Sequence, residues 1–321
     1  MNFVSYKNGN YNVHINLEDG TKIRENDLDT LEPSTIESMD IKITNKCSGP
    51  LVSYTDAFGQ PSFRHEPCPM CHENSGPNGK HADLTFEGTF LDKLHPYTEL
   101  AIGGGNPLEH PQLMEFLENC KKKKFIPSMT VNQSHLFKDY NLVKTLVDEE
   151  LIYGLGISFT SANSYLKKYV EEFPNAVVHI INGLITEEDL RKLKDFHCKV
   201  LVLGYKTFRR GELLYQRDSE RIEKNKAMLN NLLPTIIKEN WFEVISFDNL
   251  ALKQLNVKGL MTEDQWGEFY LGDDGIGDNY NSASMYVDMV ERKFAKNSCS
   301  VERFDLLDTV EDMYQFLKNR G

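Results

Sequence analysis

Three of the six cysteines lie close together in the sequence, in a pattern that suits metal binding. Cys47 is followed, after 20 residues, by Cys68-Pro69-Met70-Cys71, whereas the other three cysteines stand alone. Thiolates bind soft metal ions and iron–sulfur clusters, and a Cys-x-x-Cys turn allows two sulfur atoms to converge on one centre. The pattern therefore predicts a metal or cluster site built from Cys47, Cys68 and Cys71.

The number of ligands leaves more than one kind of site open. Three cysteines can hold an iron–sulfur centre that keeps one position free, whereas a structural zinc site normally has four protein ligands. His65, His72 or His81 could supply the fourth ligand of a zinc site. The spacing alone is compatible with an open iron–sulfur centre, with a zinc-stabilised binding protein, and with thiols that bind nothing.

A second motif, Ile102-Gly103-Gly104-Gly105-Asn106-Pro107-Leu108, follows an apolar strand and precedes a helix. Because glycine has no Cβ atom, backbone N–H and C=O groups in such a segment can approach a ligand closely. A tight turn between a strand and a helix explains the same residues without any ligand.

Apolar strands and amphipathic helices alternate along the middle of the chain, which is typical of a parallel sheet with helical crossovers. The predicted strands are 41–44, 99–102, 126–131, 152–159, 176–181, 200–204 and 242–247, and the predicted helices are 84–94, 112–123, 139–149, 161–172, 186–197 and 219–239. The expected fold class is α/β, with a full or partial βα barrel of the TIM-like kind. Functional residues of such barrels lie at the C-terminal ends of the strands.

The two ends of the chain depart from this alternation. Residues 1–39 alternate apolar and polar positions around turn signals, which predicts a small β-hairpin or meander. Residues 40–250 form the predicted barrel, and the irregular segment 48–81 is inserted in it as a loop that carries the cysteines. Residues 251–321 are a predicted α+β extension with a turn at 272–275, a strand or strand pair in 284–294 and a closing helix at 309–318.

The composition indicates a globular protein, with 40% hydrophobic and 26% charged residues among 321. A net charge of −12 disfavours sequence-independent binding to nucleic acids, because such a surface repels a phosphate backbone. The sequence has no long apolar run that would cross a membrane, and it does not begin like a signal peptide. Few cysteines without a disulfide pattern predict a reducing, cytoplasmic location.

Together the two motifs resemble those of the radical S-adenosylmethionine superfamily. The segment from Ile41 to Cys47 resembles the family's first strand with its first cluster cysteine, Cys68-Pro69-Met70-Cys71 resembles its paired cysteines, and Gly104-Gly105-Asn106-Pro107 resembles its glycine–glycine–glutamate–proline motif. Three features depart from the family pattern: the long gap after Cys47, Met70 in place of an aromatic residue, and Asn106 in place of the glutamate. The resemblance covers roughly residues 38–210.

The resemblance implies a [4Fe–4S] cluster on Cys47, Cys68 and Cys71, with S-adenosylmethionine bound beside it. The residues expected to contact this cofactor are Met70, Gly104, Gly105, Asn106, Pro107, Asn132, Ser158 and Gly204. The implied reaction is reductive cleavage of S-adenosylmethionine, followed by hydrogen abstraction from a small-molecule or nucleotide-type substrate. A reductant such as flavodoxin or ferredoxin and sensitivity to oxygen belong to the same expectation.

Five further polar residues follow predicted strands and are candidates for substrate contacts. His179 and Asn182 belong to the fifth barrel strand and the turn after it, Lys206 and Arg210 follow the sixth strand, and Asp248 follows the seventh. His179 could instead be a core histidine, with Asn182 a similar case, and the segment with Lys206 and Arg210 could be a solvated surface loop.

Overall fold

The computed structural model describes residues 3–28, 30–269 and 282–320. The turn predicted at 272–275 lies outside the described residues. Each of the seven strands predicted between residues 40 and 250 is present, and helices connect them. The predicted α/β class and partial barrel are therefore confirmed, as is a small antiparallel sheet at the N-terminus.

The strands of the described residues are β1 (Phe3–Asn8), β2 (Tyr11–Asn16), β3 (Lys22–Glu25), β4 (Ser38–Thr44), β5 (Leu51–Thr55), β6 (Pro61–His65), β7 (Glu99–Gly104), β8 (Ile126–Asn132), β9 (Gly154–Ser158), β10 (Ala176–Ile181), β11 (Lys199–Leu203), β12 (Val244–Phe247), β13 (Ser284–Asp288), β14 (Lys293–Ala295) and β15 (Phe304–Asp305). The α-helices are α1 (Leu113–Lys122), α2 (Gln133–Lys138), α3 (Tyr140–Asp148), α4 (Ser164–Glu172), α5 (Glu187–Lys194), α6 (Arg210–Lys238), α7 (Asn249–Gln254), α8 (Glu263–Phe269) and α9 (Val310–Lys318). Short 3₁₀ helices span Phe90–Lys93, Pro107–Glu109 and Val257–Leu260.

The main sheet has the strand order β12-β11-β10-β9-β8-β7-β4-β13-β14-β15. Neighbours from β12 to β13 are parallel, and β14 and β15 continue the sheet in antiparallel pairing. Successive residues of a strand point to opposite faces. One face, represented by Ile41, Leu100 and Met129, packs with Leu117 and Leu146 of the helices in the main hydrophobic core. The remaining residues of the strands face the other, inner side.

The strand β13 lies beside β4, the first strand of the predicted barrel. Their register places Tyr286 opposite Asp40 and Asp288 opposite Lys42. The strand pair predicted in 284–294 is thus β13 and β14, and it extends the barrel sheet. Residues from the last part of the chain consequently line the same inner face as those of β4.

The N-terminal strands β1, β2 and β3 form a separate three-stranded antiparallel sheet. Tyr11, Val13 and Ile15 form its buried core. The Tyr11 hydroxyl donates to the carboxylate of Glu37, which also receives hydrogen bonds at 3.0 Å from Arg24 Nε. Because Glu37 directly precedes β4, this buried group ties the small sheet to the main one.

Two predicted helices differ from the observed structure. In the segment 84–94 only Phe90–Lys93 is helical, because Gly88 adopts a φ of 73° that interrupts a helix. The helix predicted at 219–239 begins earlier, at Arg210, and continues through a non-helical residue, Asp218. Across the described ranges, no helix combines the length and the apolar character that a bilayer crossing requires.

Candidate functional site

Cys47 follows the C-terminal end of β4, directly against the glycine turn that follows β7. Gly105 N donates to Thr44 O at 2.7 Å, and Asn106 N donates to Lys46 O at 2.8 Å. A Cβ atom on Gly105 would lie 2.1 Å from Lys46 O, so no larger residue fits here without displacement. The glycines therefore allow the turn to pack closely against the backbone that leads into Cys47.

The 20 residues between Cys47 and Cys68 contain the antiparallel hairpin of β5 and β6, which the sequence analysis treated as irregular. At its base, Glu66 N donates to Pro50 O at 3.1 Å, and Gly49 adopts a φ of 81°. A Cβ atom on Gly49 would lie 1.9 Å from Glu66 O. The hairpin thus returns the chain to the point at which it leaves Gly49 and Pro50. It thereby brings Cys68 back toward Cys47.

The chain after Cys71 also packs back on the end of β4. Cys71 N donates to Cys68 O at 3.2 Å, which closes the Cys-x-x-Cys turn, and Cys47 N donates to Gly76 O at 2.9 Å. Arg210 Nη2 donates to Ser75 O at 2.7 Å. The three cysteines are therefore held by backbone hydrogen bonds and by one arginine from the start of α6.

Cys47, Cys68 and Cys71 are half-buried, and none of them forms a disulfide with another described residue. Burial raises the pKa of the Cys47 and Cys68 thiols, that of Cys68 to about 12, and the charge of Cys71 raises both further. Arg210 opposes this effect because its positive charge lowers both pKa values. Within the described ranges, no three His, Cys, Asp or Glu side chains approach closely enough to hold a single metal ion.

A network of buried charges lies beside the cysteines. Lys42 Nζ is 3.0 Å from Glu73 Oε2 and 2.9 Å from Asp288 Oδ2. Arg209 Nη1 donates to the backbone oxygen of Glu73 at 3.0 Å, and the Tyr286 hydroxyl lies 3.4 Å from Glu73 Oε2. The segment that follows Cys71 is thereby joined to β4, β13 and the loop before α6.

The inner face of the sheet borders an open space, which is called the cavity below. Asp40 and Ala101 are exposed, although both belong to central strands whose opposite face is covered by the core. The space in front of Gly103 is open as well, since a Cβ atom there would meet no atom within 4 Å. The polar side chains of Ser158 and His179, which are register partners, occupy the inner face of neighbouring strands.

No family model and no curated protein matches the sequence. Among solved structures, that of Streptococcus suis SuiB bound to S-adenosylmethionine is similar, with a TM-score of 0.59 over 97% of this chain and 87% of SuiB at 12% identity. A second SuiB structure gives a TM-score of 0.56 over 98% and 87%, also at 12% identity. SuiB bound to the precursor peptide SuiA gives a TM-score of 0.49 over 88% and 65%, at 12% identity.

The chain has the fold of SuiB, an α/β fold of the kind that the resemblance to the radical S-adenosylmethionine superfamily implies. In this fold, the predicted cluster cysteines lie together at the C-terminal end of β4, next to the predicted cofactor residues of the glycine turn. Gly104 belongs to the end of β7, whereas Asn106 and Pro107 are buried at the start of the following 3₁₀ helix.

Asn106 is engaged within its own turn. Its side-chain oxygen accepts from Leu108 N at 3.3 Å, and its Nδ2 donates to Glu109 Oε1 at 3.1 Å. The same Glu109 oxygen accepts from Ser48 Oγ at 3.1 Å, next to Cys47. A carboxylate is thus present near the first cysteine, three residues beyond the position at which the resemblance expects one.

Of the other predicted cofactor residues, Asn132 and Ser158 end β8 and β9, and Gly204 follows β11. Asn132 caps α2, because its Oδ1 accepts from Ser134 N at 2.9 Å, and Ser158 is its register partner. Gly204 N donates to Asp248 Oδ1 at 2.9 Å. Met70 packs against the small cluster formed around Tyr205.

The five predicted substrate residues differ in their surroundings. His179 faces the cavity, where burial lowers the pKa of its ring to about 4, and Lys206 Nζ lies 3.4 Å from His72 Nε2 and 3.2 Å from Ser298 Oγ. Asn182 is fully buried and donates to Gln254 Oε1 at 3.1 Å.

The remaining two candidates also have structural partners. Asp248 caps α7, since its Oδ1 accepts from Ala251 N at 2.7 Å. Arg210 holds the loop behind the cysteines. These contacts account for three of the five residues without a substrate, and their substrate roles stay predictions.

Sequence reasoning missed Asp40, Lys42, Glu73 and Asp288. A signal existed for β4, because Asp40-Ile41-Lys42-Ile43-Thr44 alternates charged or polar residues with isoleucine. A strand covered by helices on its outer face and still polar at every second position must present those groups to an interior polar space.

Proposed function

We propose that this protein is a radical S-adenosylmethionine enzyme in which Cys47, Cys68 and Cys71 hold a [4Fe–4S] cluster. The observation that carries the proposal is the packing of the cysteine-bearing loops against the glycine turn, seen in the 2.8 Å hydrogen bond from Asn106 N to Lys46 O. The fold shared with SuiB in complex with S-adenosylmethionine supports the same assignment.

The donor set suits an iron–sulfur cluster. Iron–sulfur clusters are held by cysteine thiolates, and Cys47, Cys68 and Cys71 lie close enough together for their charges to interact. The raised thiol pKa values mean that ligation must deprotonate these groups, which a metal centre does directly. The positive charge of Arg210 favours the ionised thiolates of Cys47 and Cys68.

When bound, the cluster and S-adenosylmethionine supply an electron and a 5′-deoxyadenosyl radical that takes a hydrogen atom from the substrate. The protein's own residues have three tasks in this scheme. The close packing of Gly104 and Gly105 on the backbone before Cys47 shapes the cofactor site, the inner-face residues orient the substrate, and the helices on the outer face of the sheet limit the entry of water and oxygen from that side.

We also propose the substrate, the electron donor and the location that the resemblance implies. The substrate is a small molecule or nucleotide derivative, the electrons come from a reductant such as flavodoxin or ferredoxin, and the enzyme works in a reducing compartment such as the cytoplasm. Met70, Asn132, Ser158 and Gly204 are the further residues proposed to contact S-adenosylmethionine.

Anaerobic reconstitution with iron and sulfide tests the cluster. The wild type should bind about four irons per chain and turn brown, as expected for a cubane cluster. Cys68→Ala should lose the cluster, whereas the control Cys299→Ala, at an exposed cysteine, should retain it. A colourless protein with one tightly held zinc ion, or full iron content in Cys68→Ala, would contradict the proposal.

Reaction with dithionite and S-adenosylmethionine tests the activity. The reconstituted wild type should release 5′-deoxyadenosine slowly even without a substrate. A reconstituted protein that binds its cluster but yields no 5′-deoxyadenosine would refute the enzymatic part while leaving the metal site intact.

A further inference from the structure

Asp40 occupies an unusual place for a carboxyl group, the middle of the inner face of a central strand. Its register partners are Ala101 on β7 and Tyr286 on β13. Ala101 is small and exposed, so it leaves room in front of Asp40. The side chain of Asp40 is therefore accessible inside the cavity although strands flank it on both sides.

None of the described residues forms a hydrogen bond or an ion pair with the Asp40 side chain. The next charged position on the same face, Lys42, is instead committed to Glu73 and Asp288 at 3.0 Å and 2.9 Å. A buried charge is normally paired, because an unpaired one costs free energy. The adjacent network satisfies this rule, whereas the accessible carboxylate of Asp40 has no such partner among the described residues.

The charged groups that influence Asp40 all belong to the site at the C-terminal ends of the strands. Burial raises the pKa of Asp40, Lys206 lowers it, and Glu73 and Asp248 raise it. Lys206 lies too far from Asp40 for an ion pair, and its own contacts are with His72 and Ser298. A gap therefore separates the carboxylate of Asp40 from the ammonium group of Lys206.

We propose that Asp40 is a substrate-binding residue, and that its carboxylate accepts hydrogen bonds from an N–H group of the substrate, as in an amine, guanidine or amide. The carboxylate is then paired only in the complex, and the substrate spans the gap between Asp40 and Lys206. This inference rests on the proposed function in so far as the cavity is taken to be the substrate pocket.

Chemical labelling of the full-length, reconstituted protein tests the accessibility of Asp40. Carbodiimide with methylamine as the nucleophile should convert Asp40 to its methylamide, detected by peptide mass mapping. Asp288 is the control, because it lies on the next strand but is ion-paired and fully buried. Asp40 should be modified at least about tenfold more than Asp288, since paired buried carboxylates are shielded. Equal protection of both residues would overturn the proposal.

Two added cations test the need for an N–H donor. Guanidinium, at a concentration too low to unfold the protein, should slow the labelling of Asp40. Tetramethylammonium carries the same charge without any N–H group and should not slow it. Labelling that neither cation affects, or that both affect equally, would rule out a site selective for N–H groups.

Thermal unfolding separates a binding role from a structural one. A carboxylate that waits for a ligand contributes little to the empty fold, so Asp40→Asn should leave Tm unchanged or raise it. Asp288→Asn should lower Tm by roughly 5 °C or more, because it leaves Lys42 partly uncompensated. An equal loss in Asp40→Asn would make Asp40 structural.

These measurements do not depend on the cluster chemistry. Labelling and unfolding can both be repeated on protein without iron. If reconstitution fails but Asp40 is accessible, selective and dispensable for stability, the proposed function is wrong and the ligand site stands. If reconstitution succeeds but Asp40 is protected from labelling or needed for stability, Asp40 is not part of the site and the proposed function stands.

Discussion

Lys42 Nζ lies 2.9 Å from Asp288 Oδ2, although the two residues are 246 positions apart in the sequence. Both side chains are almost completely buried, and Lys42 also contacts Glu73, two residues after Cys71. Arg303 Nη1 approaches the same oxygen of Asp288 at 3.4 Å. A single ammonium group therefore joins the first barrel strand, the cysteine loop and the C-terminal segment.

Removal of this ammonium should destabilise the whole protein. Lys42→Met leaves two buried carboxylates without their shared partner, and we expect the free energy of unfolding to fall by about 3–5 kcal/mol. Urea titration measures the effect. As a control, Lys144→Met breaks an exposed pair with Asp148 and should change the free energy of unfolding by less than about 1 kcal/mol. Similar losses in both variants would show that burial of the network does not add to the free energy of unfolding.

The glycine turn should tolerate a methyl group at one position and not at another. Gly105→Ala places a Cβ atom 2.1 Å from Lys46 O, so the loop before Cys47 must move. We expect a loss of roughly 1–3 kcal/mol in the free energy of unfolding and less iron after reconstitution. Gly103→Ala is the matched control, because a Cβ atom there meets nothing within 4 Å. The two readouts are urea unfolding and iron per chain, and equal behaviour of the variants would contradict the packing argument.

The hairpin of β5 and β6 should be dispensable for cluster assembly. Its base is closed by the hydrogen bond from Glu66 N to Pro50 O and by the close approach of Gly49 to Glu66 and Pro67, so a short glycine–serine linker in place of 51–65 keeps Cys47 and Cys68 together. Iron content after reconstitution should equal that of the wild type. Gly49→Ala should do more damage than the deletion, because its Cβ atom would lie 1.9 Å from Glu66 O. Loss of iron on deletion with retention in Gly49→Ala would place the hairpin in the site.

Acid should lower the free energy of unfolding, and protonation of Glu37 should account for part of this loss. Burial by itself raises the pKa of Glu37, but the hydrogen bonds from Arg24 and the charge of Lys22 outweigh it, and the pKa is lowered from 4.5. A carboxyl group with a lowered pKa in the folded state stabilises fully above its unfolded pKa. That contribution is lost as the pH falls below 4.5 and through the folded value.

Glu37→Gln should therefore reduce the free energy of unfolding at neutral pH. It should also make the free energy of unfolding depend less on pH below 4.5. Urea unfolding at a series of pH values measures both effects. An unchanged slope in the variant would show that other carboxyl groups carry the acid sensitivity.

Much of the barrel could be predicted from local pattern. Strands such as 176–181 are short apolar segments that alternate with amphipathic helices, and their sequential parallel order follows from the short helical connections between them. The cysteines and the glycine turn could be placed together for the same reason, because the C-terminal ends of neighbouring strands meet at one edge of the sheet.

What local pattern could not supply are the contacts between distant segments. Nothing in 284–288 indicates β4 as its partner, since long-range pairing depends on which edge remains free after the helices have packed. The hairpin at 51–65 could not be predicted because its exposed strands lack an apolar face, and the place of Asp40 could not be predicted because one acidic residue in a strand does not indicate which face the helices will leave open.

The pairing of β13 with β4 has a consequence for biosynthesis. A ribosome finishes residues 38–44 long before it reaches 284–288, and at about 5–20 residues per second the interval is on the order of tens of seconds. During that time the nascent chain has β4 without its later neighbour and Lys42 without one of its acids. A chaperone that covers this open edge would prevent the incomplete barrel from pairing with strands of other chains.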